Sequence, residues 1–376
     1  MKLLHIGVHN SLNKNAGDTL LFPVVRKIFD YFFGKCDWQL FQIWDEFSLN
    51  KVKKFNKDYD GIILGGGGSL LKDQFGSITA NSGWQWNSSI KSINAIKIPL
   101  IIFAIGYNRF RNQSEFDPIF FKHISATIKK SLFFGLRNTG SINAVKKYIN
   151  PDLHSKLLRQ FCPTTCLWQL FPEYQKITKL HDKKKDQILS FNAAYDRFDL
   201  RFGSNSKEVI SRIINSLKIA QTRGWKIIVT AHKTIDRKIE ALLNEQGVLY
   251  ETKDLTNASE DEVMKFYAQV DLAFGMRGHS QMIPFGLRRP IMSIISHDKM
   301  RFFLEDINRL EWGIEVNSLN FVNIFEEYLI NLKENKLAIH SQLAQNQQKV
   351  WEETKNNFKN LKKLIKIQTK TYLLSK

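Results

Sequence analysis

The stretch from Asp271 to Asp306 constrains the fold more than any other part of the chain. It contains two short apolar runs, Asp271–Phe274 and Ile291–Ile295, and each run leads through a polar turn into a helical pattern. The first of these helices is predicted over Ser280–Leu287, before Arg288-Arg289-Pro290 ends it. Because ligands of parallel sheets bind beyond the carboxyl ends of the strands, we predict an α/β sheet with a binding site where the two turns meet.

Cationic side chains concentrate on these two turns. Arg277 and His279 follow the first predicted strand, and His297 and Lys299 follow the second. Arg277, Lys299 and protonated His279 carry positive charge and can donate hydrogen bonds to an anion. The turns therefore predict an anion-binding site, to which we add His297 as a substrate-binding candidate.

The same stretch resembles the polysaccharide pyruvyl transferases. The resemblance is carried by an Arg-x-His turn, a helix that ends in Gly-Leu-x-x-Pro, a hydrophobic strand and a lysine ahead of an aromatic-rich helix. In that family the histidine and the lysine are functional residues, and by motif they fall on His279 and Lys299. This chain has His297 where the family usually shows an aromatic residue. Weaker matches extend the resemblance over most of the chain up to about Asp306.

Length and charge narrow the class of protein. The chain has 376 residues, of which 43% are hydrophobic, and a formal net charge of +19. Its length predicts two domains, and its charge predicts anionic partners such as phosphorylated substrates, nucleic acid or an anionic membrane face. There is no apolar run of about 18 residues, and Met1–His9 is interpreted as a strand instead of a signal peptide. We therefore expect a cytoplasmic protein.

Cysteine usage fits a reducing compartment. The chain has three cysteines, an odd number without the spacing of a disulfide framework. Cys162 and Cys166 could be half of a metal site, but no second Cys/His pair lies nearby in the sequence. We interpret them as small buried residues and predict no metal.

Apolar strands alternate with helical patterns along the whole chain, as in parallel sheets covered by helices. We predict a Rossmann-like domain over residues 1–175 and a second over 186–330. The resemblance implies that the first binds the saccharide acceptor and the second binds phosphoenolpyruvate. Pro172–Lys185 is predicted to link them, and the second domain to end near Leu310. The resemblance implies that the two doubly wound domains face a cleft, the GT-B architecture. Further predicted strands are Leu3–Val8, Ile98–Gly106, Leu132–Leu136, Gln187–Asn192, Lys226–Ala231 and Val248–Glu251.

The predicted N-terminal domain carries substrate-binding candidates at its strand ends. Asn15 and Asp18 begin a helix and, with Gly17, resemble the family's N-terminal Gly-Asp motif, although a simple helix cap explains them equally well. Gly66 and Gly67 belong to a run of four glycines that could form an anion-binding nest or a tight turn. The run matches neither dinucleotide nor Walker loops.

Three further strand-end residues are candidates for substrate binding. Arg137 opens a helix, where a cation is unfavourable unless an anion or acceptor recruits it; the alternative is a surface arginine without a partner. Arg197 lies in the polar loop after Gln187–Asn192. His232 ends the strand Lys226–Ala231, although a lone histidine is more often structural.

The C-terminal segment 331–376 differs from the rest of the chain. It carries ten lysines and three glutamates, a net charge of +7, around an apolar stripe at helical spacing. Such a basic amphipathic helix can lie on an anionic leaflet with Trp351 and Phe358 at the interface. The alternative is a terminal helix packed on the first domain. We predict packing for its first half and membrane contact for its lysine-rich end.

The function implied by the resemblance is transfer of pyruvate from phosphoenolpyruvate to a sugar of a surface polysaccharide or its lipid-linked precursor, as a ketal, with release of phosphate. Arg277 and Lys299 would bind the phosphate and carboxylate of the donor. His279 would protonate the enol methylene and make C2 electrophilic. No step requires a metal or a cofactor.

Two alternatives come from other classes of protein. A GT-B glycosyltransferase that uses a nucleotide sugar would have the same fold, but retaining members usually place a carboxylate in the segment corresponding to Ser280–Leu287, which has none. The charge of +19 also permits a non-enzymatic membrane-binding or nucleic-acid-binding protein. Because the local positive excess is greatest at the C-terminus, we predict that nucleic acid is not a partner.

Overall fold

The computed structural model describes residues 1–9, 15–72, 79–181 and 187–374, without the side chains of 180, 181 and 368–374. The chain divides into two compact units. Unit 1 comprises Met1–Ser11, Leu21–Pro163 and Glu352–Lys376, and unit 2 comprises Leu12–Leu20 and Thr164–Trp351. This division differs from the predicted one because the C-terminal segment is shared between the units instead of forming a separate part.

Unit 1 is built on a six-stranded parallel sheet with the strand order β2-β1-β3-β4-β5-β6. Strands β3, β4 and β5 are buried along their whole length, as expected of parallel strands covered on both faces. The strands are β1 (Lys2–Gly7), β2 (Asp37–Gln42), β3 (Gly61–Gly65), β4 (Leu100–Ile105), β5 (Phe133–Leu136) and β6 (Leu157–Arg159). The helices are α1 (Ala16–Phe33), whose residues up to Leu20 belong to unit 2, α2 (Leu49–Asp58), α3 (Ile90–Asn94), α4 (Pro118–Lys130) and α5 (Thr139–Lys146).

Unit 2 has a second six-stranded parallel sheet, with the order β12-β11-β10-β7-β8-β9. The strand order reverses between β7 and β10, which is where doubly wound sheets bind ligands. The strands are β7 (Gln187–Asn192), β8 (Trp225–Ala231), β9 (Glu251–Asp254), β10 (Leu272–Gly275), β11 (Ile291–Ile295) and β12 (Gly313–Glu315). The helices are α6 (Leu167–Leu170), α7 (Glu173–His181), α8 (Phe198–Phe202), α9 (Ser206–Thr222), α10 (Ile239–Glu245), α11 (Glu260–Ala268), α12 (Gly278–Gly286), α13 (Asp298–Asp306), α14 (Phe321–Glu334) and α15 (Lys336–Leu374).

The two sheets confirm the predicted fold class of two doubly wound Rossmann-like domains, and β11 coincides with its predicted bounds. The predicted strand Val248–Glu251 is wrong, because the strand there starts at Glu251. The predicted linker contains α7, whose Tyr174 hydroxyl donates to Asp261 on α11. The predicted domain end near Leu310 is also wrong. The sheet continues into β12, and α14 packs Phe325 against Phe274, with ring centroids 4.4 Å apart.

The C-terminal helix α15 is part of the folded core. Phe358 is 1% exposed and stacks on Phe32 of α1 with ring centroids 4.2 Å apart. Trp351 and Leu361 are also buried. The placement of Trp351 and Phe358 at a membrane interface is therefore wrong, and the alternative of packing is confirmed as far as Leu361. Among the helices described here, none is long and apolar enough to cross a membrane.

Truncation of the chain after Lys355 is expected to destabilise it, because Phe358 and Leu361 leave the core. Removing one large buried apolar side chain typically costs about 2–5 kcal/mol. Urea unfolding should show a lower midpoint, or the protein should be insoluble. Truncation after Ile367 is the matched control, since it keeps both buried residues. An unchanged midpoint after the longer truncation would contradict the packing of this helix.

Candidate active site

The candidate site lies in unit 2, on the turns that follow β7, β8, β10 and β11. Parallel strands place their carboxyl ends at one edge of the sheet, so residues far apart in sequence meet there. The turns contribute Asp196, Lys233 and Asp236, Arg277 and His279, and Lys299 respectively. The first residues of α1 complete this part of the unit, since the Ala16 amide donates to the His232 carbonyl at 3.0 Å.

Arg277 holds the ends of the strands together. It is the N-cap of α12, and only 8% of its side chain is exposed. Its Nε donates to Asp236 Oδ2 at 2.7 Å, and its Nη2 contacts both Asp236 and Asp196 Oδ1, the latter at 2.8 Å. Burial opposes the charge of Arg277, but the two carboxylates outweigh it and raise its pKa. The guanidinium fork is thus occupied by carboxylates, and the role of Arg277 as a donor ligand stays a prediction.

Asp236 is a site residue to which the sequence assigned no role. Besides Arg277, its Oδ2 accepts from the amides of His232 and Lys233, both at 3.1 Å, and from Asn192 Nδ2 at 3.3 Å. It therefore joins the ends of β7, β8 and β10. The only local signal is its position three residues after Lys233, where an acidic side chain reaches back to cap the backbone of a turn.

Asp196 is the second carboxylate that pairs with Arg277, and it also forms an ion pair with Arg201. The Arg201 side chain is buried, donates through Nε to the Asp196 carbonyl at 2.9 Å and lies 3.4 Å from Oδ1. Burial alone would raise the pKa of Asp196, but the charges of Arg277 and Arg201 lower it well below its usual range. The two guanidinium groups therefore favour the ionised form of Asp196. The neighbouring candidate Arg197 is half-buried in the left-handed conformation, with φ 56°, and its substrate role stays a prediction.

His279 is half-buried on the first turn of α12, and its ring lies against the start of α1. A Cβ atom built on Gly17 would lie 2.1 Å from His279 Nδ1 and 2.6 Å from its Cγ. No side chain at Gly17 is compatible with this ring position. Because the adjacent Ala16 amide is bonded to the His232 carbonyl, the backbone that contacts the imidazole is itself anchored.

His297 and Lys299 lie at the start of α13. His297 is 2% exposed, and its Nδ1 accepts the Lys299 amide at 3.2 Å as the N-cap of the helix. That bond gives His297 a structural role, and direct substrate contact stays a prediction. Lys299 is half-buried, and its charge lowers the pKa of Asp196 and opposes the rise in the pKa of Asp18.

Lys233 is a second ammonium group at the site, and sequence reasoning missed it. It follows β8, is half-buried, and acts electrostatically on the same two carboxylates as Lys299, namely Asp18 and Asp196. Within the described part of the chain, it forms no ion pair with a carboxylate. A lysine two residues beyond a strand end was the only available signal, and surface lysines give the same signal.

Asn15 and Asp18 form a closed turn at the start of α1. The Asn15 amide donates to Asp18 Oδ2 at 3.0 Å, while its Oδ1 accepts the Gly17 N–H at 3.0 Å. Burial raises the pKa of Asp18, against the charges of Lys233, Arg277 and Lys299. The cap expected at Asp18 is wrong, because α1 begins at Ala16 and the side chain that caps it is Asn15. Asp18 lies in the first turn of the helix.

His232 lies inside the unit. It is fully buried, and its Nε2 is 2.6 Å from the Tyr267 hydroxyl. Burial and the charge of Arg277 lower its pKa to about 4. The ring is therefore neutral at physiological pH and supports the turn that carries Asp236. Its substrate contact stays a prediction.

Comparison with known proteins identifies the family. The family model described as polysaccharide pyruvyl transferase matches residues 9–298. The chain belongs to the polysaccharide pyruvyl transferase family. No curated protein matches this pyruvyl transferase family member by sequence.

Solved structures share the two-domain fold of this pyruvyl transferase family member at low sequence identity. UDP-GlcNAc 2-epimerase from Neisseria meningitidis, bound to UDP-GlcNAc, is 12% identical with a TM-score of 0.53, covering 96% of this chain and all of the other. Alr3699/HepE from Anabaena, in complex with UDP and glucose, is 9% identical with a TM-score of 0.52, covering 99% of each chain. These likenesses establish a fold of the GT-B type.

Unit 1 of this pyruvyl transferase family member places the remaining candidates at its own strand ends. Arg137 is 5% exposed and lies over Gly106, where a Cβ atom would come within 2.1 Å of its Nε. Gly66 and Gly67 have φ values of 91° and 81°. The Gly66 amide donates to Phe103 and the Gly67 carbonyl accepts from Gly106. The bonds of Gly66 and Gly67 are those of the tight-turn alternative. Substrate contact by Arg137, Gly66 and Gly67 stays a prediction.

Substitution of Gly17 by alanine is expected to lower kcat by displacing the His279 ring, since the added methyl overlaps the imidazole. A misplacement of about 1 Å can cost about 10²-fold in rate. Pyruvyl transfer assays and the imidazole NMR signals of His279 would measure it. Gly61→Ala is the matched control, because a Cβ there meets its nearest atom, Leu3 Cδ2, at 3.3 Å. Unchanged turnover with an unmoved His279 signal would contradict the contact.

Proposed function

We propose that this protein transfers pyruvate from phosphoenolpyruvate to a saccharide of a surface polysaccharide or its precursor, forming a ketal and releasing phosphate. The observation that carries the proposal is the placement of His279, Lys233 and Lys299 on turns at one edge of the unit 2 sheet, in a chain of this family. Phosphoenolpyruvate presents a phosphate and a carboxylate on a three-carbon frame. A cluster of cations around an acid catalyst suits that donor.

The charge balance of the cluster supports an anionic donor. Asp236 and Asp196 neutralise Arg277 and Arg201 within the protein. The ammonium groups of Lys233 and Lys299 add two positive charges at the same strand ends, and the Asp18 carboxylate offsets one of them. The N-termini of α12 and α13 begin at these turns, and their orphan amides also attract anions. Lys299 and Lys233 are therefore the proposed phosphate and carboxylate ligands.

His279 is the proposed general acid. Transfer of its proton to the methylene carbon gives a methyl group and makes C2 electrophilic toward a sugar hydroxyl. A second hydroxyl of the same sugar then attacks C2 as phosphate leaves, which closes the ketal. Gly17 holds the ring in place without contributing a reacting group.

The proposed setting is the cytoplasmic side of a membrane, where a lipid-linked acceptor would be found. Its support is the lysine-rich end of α15, in which Lys359, Lys362, Lys363 and Lys366 follow the buried Phe358. Each basic residue near an anionic leaflet contributes about 1 kcal/mol of attraction.

A nucleotide-sugar glycosyltransferase is the second candidate function. The solved structures with bound UDP-GlcNAc or with UDP and glucose favour it at the level of the fold. The helix that follows the strand-order reversal, α12, contains no carboxylate. Pyruvyl transfer needs none there, so it remains the first proposal.

Incubation of the purified protein with phosphoenolpyruvate and a panel of saccharide acceptors tests the proposal. Release of phosphate together with a product that carries a pyruvate ketal is the expected result. UDP-sugars with the same acceptors form the parallel arm. Release of UDP without any consumption of phosphoenolpyruvate would overturn the proposal in favour of the second candidate.

A further inference from the structure

Ketal formation needs a proton acceptor as well as a proton donor, because each attacking sugar hydroxyl must lose its proton. Asp196, Asp236 and Asp18 are carboxylates whose charges act on the cations of the unit 2 site. The first two are bound to Arg277 at 2.8 and 2.7 Å. A carboxylate held by a guanidinium is a weak base, since the cation stabilises its ionised form. Neither is suited to the task.

Asp18 has different partners. Its Oδ2 accepts a hydrogen bond from the neutral amide of Asn15 at 3.0 Å, and among the described residues it forms no ion pair. It is half-buried in the first turn of α1. A carboxylate in a first turn is favoured by the helix dipole, but here its bond goes to a side chain instead of the orphan amides.

We infer that Asp18 is the catalytic base that takes the proton of the acceptor hydroxyl, and that Asn15 and Gly17 position it beside His279. The inference rests on the proposed function, to which it adds the group that accepts the proton of the sugar hydroxyl. Gly17, the residue before Asp18, is in van der Waals contact with the His279 ring. The turn at the start of α1 thus carries the proposed proton acceptor and contacts the ring of the proposed proton donor.

The turn is rigid enough to hold this arrangement. The amides of Asp18 and Thr19 both donate to the Asn15 carbonyl at 2.9 Å, and the Gly17 amide donates to Asn15 Oδ1. The Ala16 amide is anchored on β8 through His232. Catalytic groups must be pre-oriented by their neighbours to act efficiently.

The environment of Asp18 also suits a base. Burial raises its pKa, while the charges of Lys233, Arg277 and Lys299 keep it from rising further. A carboxylate whose pKa is raised is a stronger base than an unperturbed one. Lys299 and Lys233, the proposed ligands of the donor phosphate and carboxylate, are among the charges that act on Asp18, so the leaving phosphate would lie within its reach.

The protons balance over one turnover. His279 gives its proton to the methylene carbon, while Asp18 takes the proton of the first hydroxyl as its oxygen bonds to C2. The C2–phosphate bond then breaks, and Asp18 returns its proton to the leaving phosphate. The second hydroxyl bonds to C2 and gives its proton to neutral His279. Both residues are restored, one hydroxyl proton ends in the methyl group, and the other ends on phosphate.

Asp18→Asn tests the inference, because the amide keeps the shape of the side chain but cannot act as a base. We expect kcat to fall about 10²–10⁴-fold, with the affinity for phosphoenolpyruvate changed by less than tenfold. The acidic limb of the kcat profile, which reports protonation of Asp18, should disappear. Formate should restore part of the turnover of Asp18→Ala. Thr19→Ala, on the same turn of α1, is the control expected to match the wild type.

Each result has one interpretation. A wild type that releases no phosphate with any acceptor would overturn the proposed function. A wild type that is active, with an Asp18→Asn variant of similar kcat and an intact acidic limb, would overturn this inference alone. Should Asp18→Asn fail to fold, Asp18→Glu keeps the carboxylate, and its activity relative to folded Asp18→Ala decides whether the group acts as a base.

Discussion

Replacement of His279 by alanine is expected to lower kcat about 10²–10⁴-fold, the usual contribution of a general acid, while phosphoenolpyruvate still binds. In the proposed mechanism the imidazole acts on the transition state, whereas the charges of Lys233 and Lys299 attract the donor in the ground state. Turnover assays and calorimetric titration with phosphoenolpyruvate would separate the two effects. Loss of donor binding together with turnover would instead make His279 a binding residue.

A matched histidine control accompanies this test. His154 lies in unit 1, where its Nε2 contacts the Lys146 carbonyl at 3.2 Å. His154→Ala should leave kcat unchanged. Near-full turnover of His279→Ala would remove that residue from the mechanism.

Replacement of Arg277 by alanine is expected to destabilise the fold by about 3–5 kcal/mol, because it leaves the buried Asp236 and the half-buried Asp196 without their main partner. Arg277→Lys should lose less, since a lysine keeps the charge but not the fork. Urea unfolding of both variants would measure the free energy of unfolding. Arg301→Ala is the control, because its pair with Glu315 is partly exposed and should contribute no more than about 1 kcal/mol.

The affinity of the same variants for phosphoenolpyruvate tests whether Arg277 also binds the donor. If Arg277 also contacts phosphoenolpyruvate, alanine should weaken binding more than lysine in conditions where both variants are folded. Equal affinity in the wild type and both variants would show that Arg277 only holds the carboxylates. Unchanged stability of Arg277→Ala would contradict the buried network itself.

The sequence by itself determined the architecture. Runs such as Ile291–Ile295 contain no polar position except Ser293, and a strand of that kind is stable only when both of its faces are covered. Helical spacing between the runs then requires a parallel sheet wrapped by helices. Parallel strands bring their carboxyl ends to one edge, so His279 and Lys299 could be assigned to one site before any coordinates.

Tertiary structure alone decided the partners. Arg277 pairs with Asp236, 41 residues earlier, and His279 lies on Gly17, because strand order and loop path determine which turns meet. The apolar stripe of α15 predicted that one face of the helix is buried, but not whether lipid or protein buries it. Apolar side chains are removed from water equally well by either. The ring of Phe32, 4.2 Å from that of Phe358, settled that choice. Local patterns identify which surfaces must be buried, whereas long-range packing determines what buries them.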